Sequence, residues 1–351
     1  IRMRAMYGYP PLVLDTYMKD GNPSHNGALV LAPVFEEMKT DYFSGSQDPA
    51  VIEREAIRAM QDLEHILGKT ATFAHHYLGA EVIGLGATLP GLTNFGAMLR
   101  QQPGMDKLVT TTGHGGTVYT IVETARKIID EEPSINSNGE IGMIGGAGSI
   151  GWSSTGASLD MIKDHKIVSF DTRMDRLGNM IEDDKNAMYK DRIESAPTVR
   201  DVLERTNVII TAITGTIDLN DPEYEDLDLR GKVIIDDSQP GCFDKEQVEA
   251  RGGKLVWVVG EDGSESGFIT RDGFHTGGKP YNYGDSSGLY GAKSEFACGQ
   301  EAAVIAAYGA YDRAINKRVE PRDVRLIGEL FKRANVLVAP YQAFGKPVSI
   351  E

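Results

Sequence analysis

Cysteine is scarce in this chain: Cys242 and Cys298 are the two in 351 residues. Two thiols make no disulfide framework, which excludes the small disulfide-built secreted scaffolds and points to a reducing compartment, the cytoplasm. Long apolar runs are missing too. No stretch reaches the roughly 18 consecutive apolar residues of a membrane-spanning helix, so none is expected. The opening Ile1-Arg2-Met3-Arg4 is not followed by the apolar core of a secretory signal. Positive charge is short: 36 Lys and Arg face 51 Asp and Glu, a formal net charge of -15. So acidic a chain is a poor general ligand for nucleic acid or an anionic membrane, and neither is expected as a partner. His75-His76 have no third ligand at metal spacing, so no metal is expected. There is no internal repeat.

What is present reads as a globular α/β protein, with 41% hydrophobic and 25% charged residues. The length is too great for one ordinary core and calls for two domains. The 40 glycines cluster in short loops, as tight turns and close backbone approaches require. Residues 1–48 read as irregular, broken by Pro10-Pro11, Gly21-Asn22-Pro23 and Ser44-Gly45-Ser46. Ile52, Ala56, Met60 and Leu63 predict a helix over Pro49–Leu67 with Gly68 as its C-cap. Glu81–Leu85 reads as a strand. Val118, Ile121, Val122, Ala125, Ile128 and Ile129 form one stripe of a helix over Thr117–Ile129, and Ser134–Gly139 reads as a linker.

From there strands and helices alternate: strand Ile141–Ile144, a Gly-rich turn, a helix from Ser149 to Ile162, strand Lys166–Phe170, helix Thr198–Arg205, then strands Val208–Ala212, Lys232–Asp236 and Leu255–Val259. Short apolar strands separated by helices predict a parallel sheet buried on both faces. A helix over Glu295–Asn316 and a closing helix over Arg322–Arg333 follow. The expected organisation is a Rossmann-type doubly wound parallel sheet over residues 137–295. A mixed α/β substrate domain over residues 1–136 precedes it, and C-terminal helices over 296–351 return to pack on that N-terminal part.

The turn Gly145-Gly146-Ala147-Gly148-Ser149-Ile150-Gly151 follows a strand, opens a helix and precedes a second strand ending in an acid. That context makes it a dinucleotide site. Glycines let the backbone approach a pyrophosphate, and the helix N-terminus offers N–H groups and partial positive charge to the phosphates. Gly145, Gly146, Gly148, Ser149, Ile150 and Gly151 are the candidate phosphate cradle. Asp171, at the end of the second strand, is placed to bind the adenosine ribose of NAD. Thr172 and Arg173, with Arg176 close by, would instead accommodate the 2′-phosphate of NADP. A carboxylate near that phosphate is costly, so NAD is the favoured cofactor. Ala212 and Thr214, after the fourth strand, are candidates to pass beside the nicotinamide ribose, although ordinary loops read the same.

Cys298 falls near the start of a helix in Glu295-Phe296-Ala297-Cys298-Gly299-Gln300-Glu301-Ala302. A helix N-terminus lowers a thiol pKa and makes a better nucleophile, though an inert buried cysteine is the plainer reading of the residues alone. Cys242 reads as structural. Four segments in register resemble the cyanobacterial long-chain fatty acyl-[acyl-carrier-protein] reductases over roughly residues 75 to 340. They are Thr110-Thr111-Thr112-Gly113 leading into Thr117-Val118-Tyr119, the turn Gly145–Gly151, Ile235-Asp236 with Pro240, and Phe296-Ala297-Cys298 with Glu301-Ala302. The resemblance implies that Cys298 takes an acyl group as a thioester and that a nicotinamide hydride releases it as an aldehyde. It also implies an acyl thioester substrate on acyl-carrier protein or coenzyme A. Backbone N–H groups near Cys298 and Gly299 are candidates for an oxyanion site, and His114 and Thr117 for the substrate pocket, with His114 a possible proton donor. The chain departs from that family at Asp171, where the family has a small neutral residue, and at His114-Gly115-Gly116. Two other readings stay open: a dehydrogenase of the shikimate dehydrogenase type with no covalent step, and a non-catalytic dinucleotide sensor.

Overall fold

A computed structural model describes residues 11–19, 26–32, 34, 49–86, 88–135, 138–183, 186–238, 241–258, 260–262, 268–271, 294–343 and 346–350. The chain divides into two compact units. One comprises Ile1–Thr112, Glu265–Tyr281 and Ala302–Lys317; the other Gly113–Ser264, Asn282–Glu301 and Arg318–Glu351. The expected boundary near residue 136 is therefore displaced to Thr112/Gly113.

In the first unit the described part of residues 1–48 is not irregular. Strands β1 (Leu12–Lys19) and β2 (Asn26–Leu31) pair antiparallel, from Leu12 opposite Leu31 to Met18 opposite Asn26, with an irregularity between Val13 and Asp15. The strand Phe268–Arg271 pairs with β1 on its other edge, Thr16 opposite Arg271. The breaker Gly21-Asn22-Pro23 lies outside the described residues. Helix α1 (Pro49–Thr72) is longer than expected. Gly68 does not end it, because the buried face continues through Leu63, Ile66, Leu67 and Ala71. The Thr70 and Thr72 hydroxyls also bond back to the carbonyls of Ile66 (2.9 Å) and Gly68 (2.8 Å). A π-helical turn, Phe73–Tyr77, follows. Strands β3 (Val82–Gly84) and β4 (Val109–Thr111) run parallel, and Leu67, Ala71, Leu85, Leu99, Met105 and Leu108 form the core.

The second unit carries the parallel sheet. Helix α2 (His114–Glu131) leads to β5 (Glu140–Ile144), α3 (Ser149–Met161), β6 (Lys166–Phe170), α4 (Met174–Glu182) and β7 (Ile193–Ser195). After these come α5 (Val199–Arg205), β8 (Val208–Thr211), β9 (Val233–Asp236), α6 (Lys245–Ala250) and β10 (Lys254–Trp257). The order across the six-stranded sheet is β7-β6-β5-β8-β9-β10, and every pairing is parallel. Numbered from β5 as the first strand this is 3-2-1-4-5-6, the strand order of the Rossmann fold. The strands are short apolar runs because helices cover both faces; every residue of β8 and β9 is buried. Thr198 caps α5 by accepting the Asp201 N–H at 3.1 Å. Sequence periodicity passed over α4, β7 and α6, which span only one to three turns or three residues.

Helix α7 (Ala297–Ala307) is shorter than the expected Glu295–Asn316. Gly309, at φ 59, closes it: the Gly309 N–H reaches the Ala306 carbonyl and the Ala310 N–H reaches Ile305. That is a Schellman stop. Helix α8 (Pro321–Arg333) buries Val324, Ile327, Leu330 and Phe331 along one face and packs on α2. Tyr119 and Phe331 meet edge to face with ring centroids 5.8 Å apart, and a side chain on Gly328 would collide with the Tyr119 ring. The apolar stripe of α2 thus finds its partner in α8, as its sequence requires, but both helices belong to the unit that holds the parallel sheet. Phe331 is fully buried. Phe331→Ala should cost about 3–5 kcal/mol, read as a lower midpoint in urea at unchanged slope; an unshifted midpoint would mean that this contact does not hold the unit together.

Candidate functional site

The Gly-rich turn leaves β5 at Ile144. The N–H groups of Gly145 and Gly146 both donate to the Phe170 carbonyl, at 2.9 and 3.0 Å, which ties the turn to the end of β6. Gly145 has φ 93, where a side chain is strained, and any Cβ there would strike the Ala212 carbonyl. A Cβ on Gly151 would strike the Gly145 carbonyl, so this glycine lets α3 settle on the strand. Gly148 differs. Its nearest neighbour would be the Gly145 carbonyl at 3.1 Å, a tight contact but not a collision like those at Gly145 and Gly151. Gly148 is also the N-cap of α3, and the N–H groups of Ser149, Ile150 and Gly151 lie in the first turn, where a helix supplies no acceptor. The bare backbone at Gly148 and those N–H groups fit a pyrophosphate.

Asp171 is only 6% exposed. One carboxylate oxygen accepts the Ala147 N–H at 2.9 Å and the other accepts the Arg173 N–H at 2.9 Å, with the Arg173 guanidinium 3.9 Å away. Asp171 therefore braces the Gly-rich turn from the end of β6, a role that its sequence position does not reveal. Thr172 and the Arg173 side chain are exposed beside it.

At the end of β8, Ala212 donates its N–H to the Ile144 carbonyl (3.0 Å) and Ile213 donates to Ser238 Oγ (3.2 Å); Thr214 is exposed. Asp236, fully buried, accepts from Thr211 Oγ1 (2.8 Å), the Ser238 N–H (2.9 Å) and the Cys242 N–H (2.8 Å). Beside it, burial first and then the Asp236 charge hold the Asp237 carboxyl well above the usual carboxylate range. Burial and the same charge push the thiol of the buried Cys242 far up.

Cys298 lies in the first turn of α7 and is partly exposed. Its surroundings are set by backbone approach. Gly113, at φ 71, is the N-cap of α2; a Cβ there would stand 2.5 Å from the Cβ of Cys298 and 2.7 Å from its Cα. A Cβ on Gly116 would stand 2.5 Å from the Ala297 carbonyl. The start of α2 and the start of α7 are thus in backbone contact, which explains the glycines on either side of His114-Gly115. The fully buried Glu301 accepts the Gly116 N–H at 2.6 Å. Ahead of α7, Phe296 meets Trp257 edge-on at 5.7 Å, and Trp257 donates its indole N–H to the Ser238 carbonyl at 3.2 Å.

His114 is the first residue of α2, and its Nδ1 lies 3.5 Å from Ser149 Oγ at the start of α3. Three helix starts therefore converge: that of α3 after the Gly-rich turn, that of α2 at His114, and that of α7 at Cys298. Thr117 sits in the first turn of α2, half-buried, its N–H on the Gly113 carbonyl at 3.1 Å. None of the site residues expected from the sequence lies in residues 1–112. Among the described residues no group of His, Cys, Asp and Glu is arranged to hold a metal, and no helix is long and apolar enough to cross a membrane.

No family model and no curated protein matches the chain. Among solved structures it is similar in part to an imine reductase from Aspergillus terreus in complex with NADPH4, at 12% identity over 37% of this chain and 46% of that one, TM-score 0.25. It is also similar in part to a UDP-glucose dehydrogenase from the hyperthermophilic archaeon Pyrobaculum islandicum, at 17% identity over 54% of this chain and 48% of that one, TM-score 0.24. The matches span about half the length of each of those chains. At such scores neither likeness bears on what this chain does; the Rossmann-type fold is read from its own strand order.

Burial lowers the His114 pKa from 6.5 to about 4, and a helix N-terminus opposes a cation at the same place. His114 is therefore neutral at pH 7. Between pH 6.5 and 4 the unfolded chain binds a proton there that the folded chain refuses, so His114 reduces stability as pH falls through that window and has no effect above it. His114→Asn should melt with a shallower loss of stability between these pH values than the parent. Parallel melting curves would mean that His114 titrates normally.

Proposed function

We propose that this chain is a nicotinamide-dependent oxidoreductase that reduces an acyl thioester, carried by acyl-carrier protein or coenzyme A, to an aldehyde through an acyl-enzyme on Cys298. The observation that carries this reading is the convergence of the Cys298 turn with the start of α2, whose His114 reaches Ser149 at the start of the Gly-rich helix. A nucleophile and a pyrophosphate cradle belong to one cluster. The resemblance of Phe296-Ala297-Cys298 with Glu301-Ala302 to the acyl-[acyl-carrier-protein] reductases supplies the substrate class.

Gly148 and the N–H groups of Ser149, Ile150 and Gly151 would hold the pyrophosphate. Thr172 and Arg173 would border the adenosine ribose, and Ala212 and Thr214 the nicotinamide ribose. Bound there, the reduced cofactor supplies a hydride. Asp171 already has an N–H on each oxygen, so it acts on the ribose chiefly through its charge, which opposes a 2′-phosphate and favours NAD.

The Cys298 thiolate attacks the acyl carbon, a C–S bond forms, and the carrier's sulfur leaves as a thiolate that takes up a proton. After hydride addition to the acyl carbon, the oxyanion re-forms its C=O bond and the bond to Cys298 breaks, returning the thiolate. The Gly299 N–H donates to the Phe296 carbonyl at 3.0 Å, so of the two expected donors the Cys298 N–H would stabilise that oxyanion. His114, being neutral, serves as a hydrogen-bond donor rather than an imidazolium acid. Its Nδ1 lies 3.5 Å from Ser149 Oγ at the start of the Gly-rich helix.

Gly148→Leu should leave the fold intact and abolish NADH binding measured by fluorescence titration, since its side chain would fill the pyrophosphate's place. Undiminished binding would remove the turn from the cofactor site. Cys298→Ala should bind NADH normally and form no aldehyde from acyl thioesters, and Cys298→Ser should be nearly as inactive. Acyl thioester without reduced cofactor should add one acyl mass to the parent enzyme on the peptide holding Phe296-Ala297-Cys298, and cofactor should remove it. An active Cys298→Ala enzyme, or direct reduction with no adduct as in a shikimate-type dehydrogenase, would end the proposal.

A further inference from the structure

The start of α2 has no cap of its own. Its N-cap is Gly113, which carries no side chain to accept the first-turn N–H groups, and such groups are costly to bury unpaired. One of them is satisfied from another helix. Glu301, at no measurable exposure, places Oε2 2.6 Å from the Gly116 N–H. Glu301 stands one turn after Cys298 on α7, on the same face. The contact spans the segment where Gly113 touches Cys298 and Gly116 touches the Ala297 carbonyl. The carboxylate supplies a directional bond at that place.

We infer that Glu301 is the positioning residue of this site: by accepting the Gly116 N–H it locks the start of α2, where Gly113 lies against Cys298, onto the first turn of α7. The inference rests on the reading of Cys298 as the nucleophile, and it assigns Glu301 no contact with the substrate. A clamp of this kind depends on the reach of the acceptor oxygen, not on its charge. It also has a measurable side effect. A buried anion one turn from Cys298 opposes formation of the thiolate, so removing the charge eases ionisation while removing the acceptor loosens the turn.

Three variants separate these effects. Glu301→Gln keeps an oxygen at the same reach and loses the charge. Glu301→Asp keeps the charge and loses the reach. Glu301→Ala loses both. Each is read by kcat and KM for aldehyde formation, by NADH binding, and by the pH profile of iodoacetamide alkylation of Cys298, followed on its own peptide. The Gln variant should keep kcat near that of the parent, with the alkylation midpoint moved to lower pH and the high-pH plateau unchanged. The Asp and Ala variants should lose about 100-fold in kcat, the scale of a misplaced reacting group, at unchanged KM and NADH affinity. Their alkylation plateau should rise severalfold as the turn opens, and at high pH that plateau reports access alone. A Gln variant as inactive as Ala would overturn the inference, because the charge would then be what matters. Parent-like kcat and plateau in Asp would overturn it equally. If the parent makes no aldehyde at all, the thioester reading fails, while the contrast in plateau between Gln and Asp still decides whether Glu301 clamps the turn. Should Ala fail to fold, Gln against Asp carries the same comparison.

Discussion

Backbone brought against backbone, with no side chain between, is the constraint on which the second unit depends. It occurs at two places. At the Gly-rich turn, Gly145 and Gly151 let α3 descend onto the end of β5. At the start of α2, Gly113 and Gly116 let that helix touch the turn that carries Cys298. At each approach a backbone N–H is taken up by a carboxylate from elsewhere in the chain. Asp171 takes the Ala147 N–H in the first case and Glu301 takes the Gly116 N–H in the second. Glycine provides the space and a buried acid provides the direction.

The same accounting explains why this unit tolerates so many buried charges. Asp236 has three hydrogen-bond donors. Lys232 spends its ammonium on the carbonyls of Glu204 and Thr206 and on Asn207 Oδ1, closing the C-terminal end of α5. A buried charge with a full set of partners costs little, and one without them neutralises. At Asp237 and His114 burial acts against the charged form, raising the carboxyl and lowering the imidazole.

Much of the fold was legible along the chain. The strand Lys166–Phe170 has the predicted ends, α3 stops one residue before its expected end, and the Gly-rich turn stands where a strand hands over to a helix. Such elements show because a strand buried on both faces must be a short apolar run and a tight turn must be glycine. What stayed hidden depends on partners distant in sequence. β1 is made a strand by two neighbours, one of which lies about 250 residues further on. The end of α1 is decided by a buried face that runs past Gly68, and that of α7 by the left-handed Gly309. Cys298 was visible as a thiol at a helix start, yet nothing in its spacing told that Gly113 lies against it.

The sequence by itself determined the α/β alternation and the place of the Gly-rich turn, because periodicity, glycine content and local order act over a few residues. Only the tertiary structure decided that Asp171 turns inward to brace the loop, that α2 and α8 belong with the sheet, and that His114, Ser149 and Cys298 share one cluster. Those outcomes rest on hydrogen bonds and packing between segments 24 to 185 residues apart. No local pattern encodes such a distance. It is set by which buried N–H finds which carboxylate once the helices have closed on the sheet.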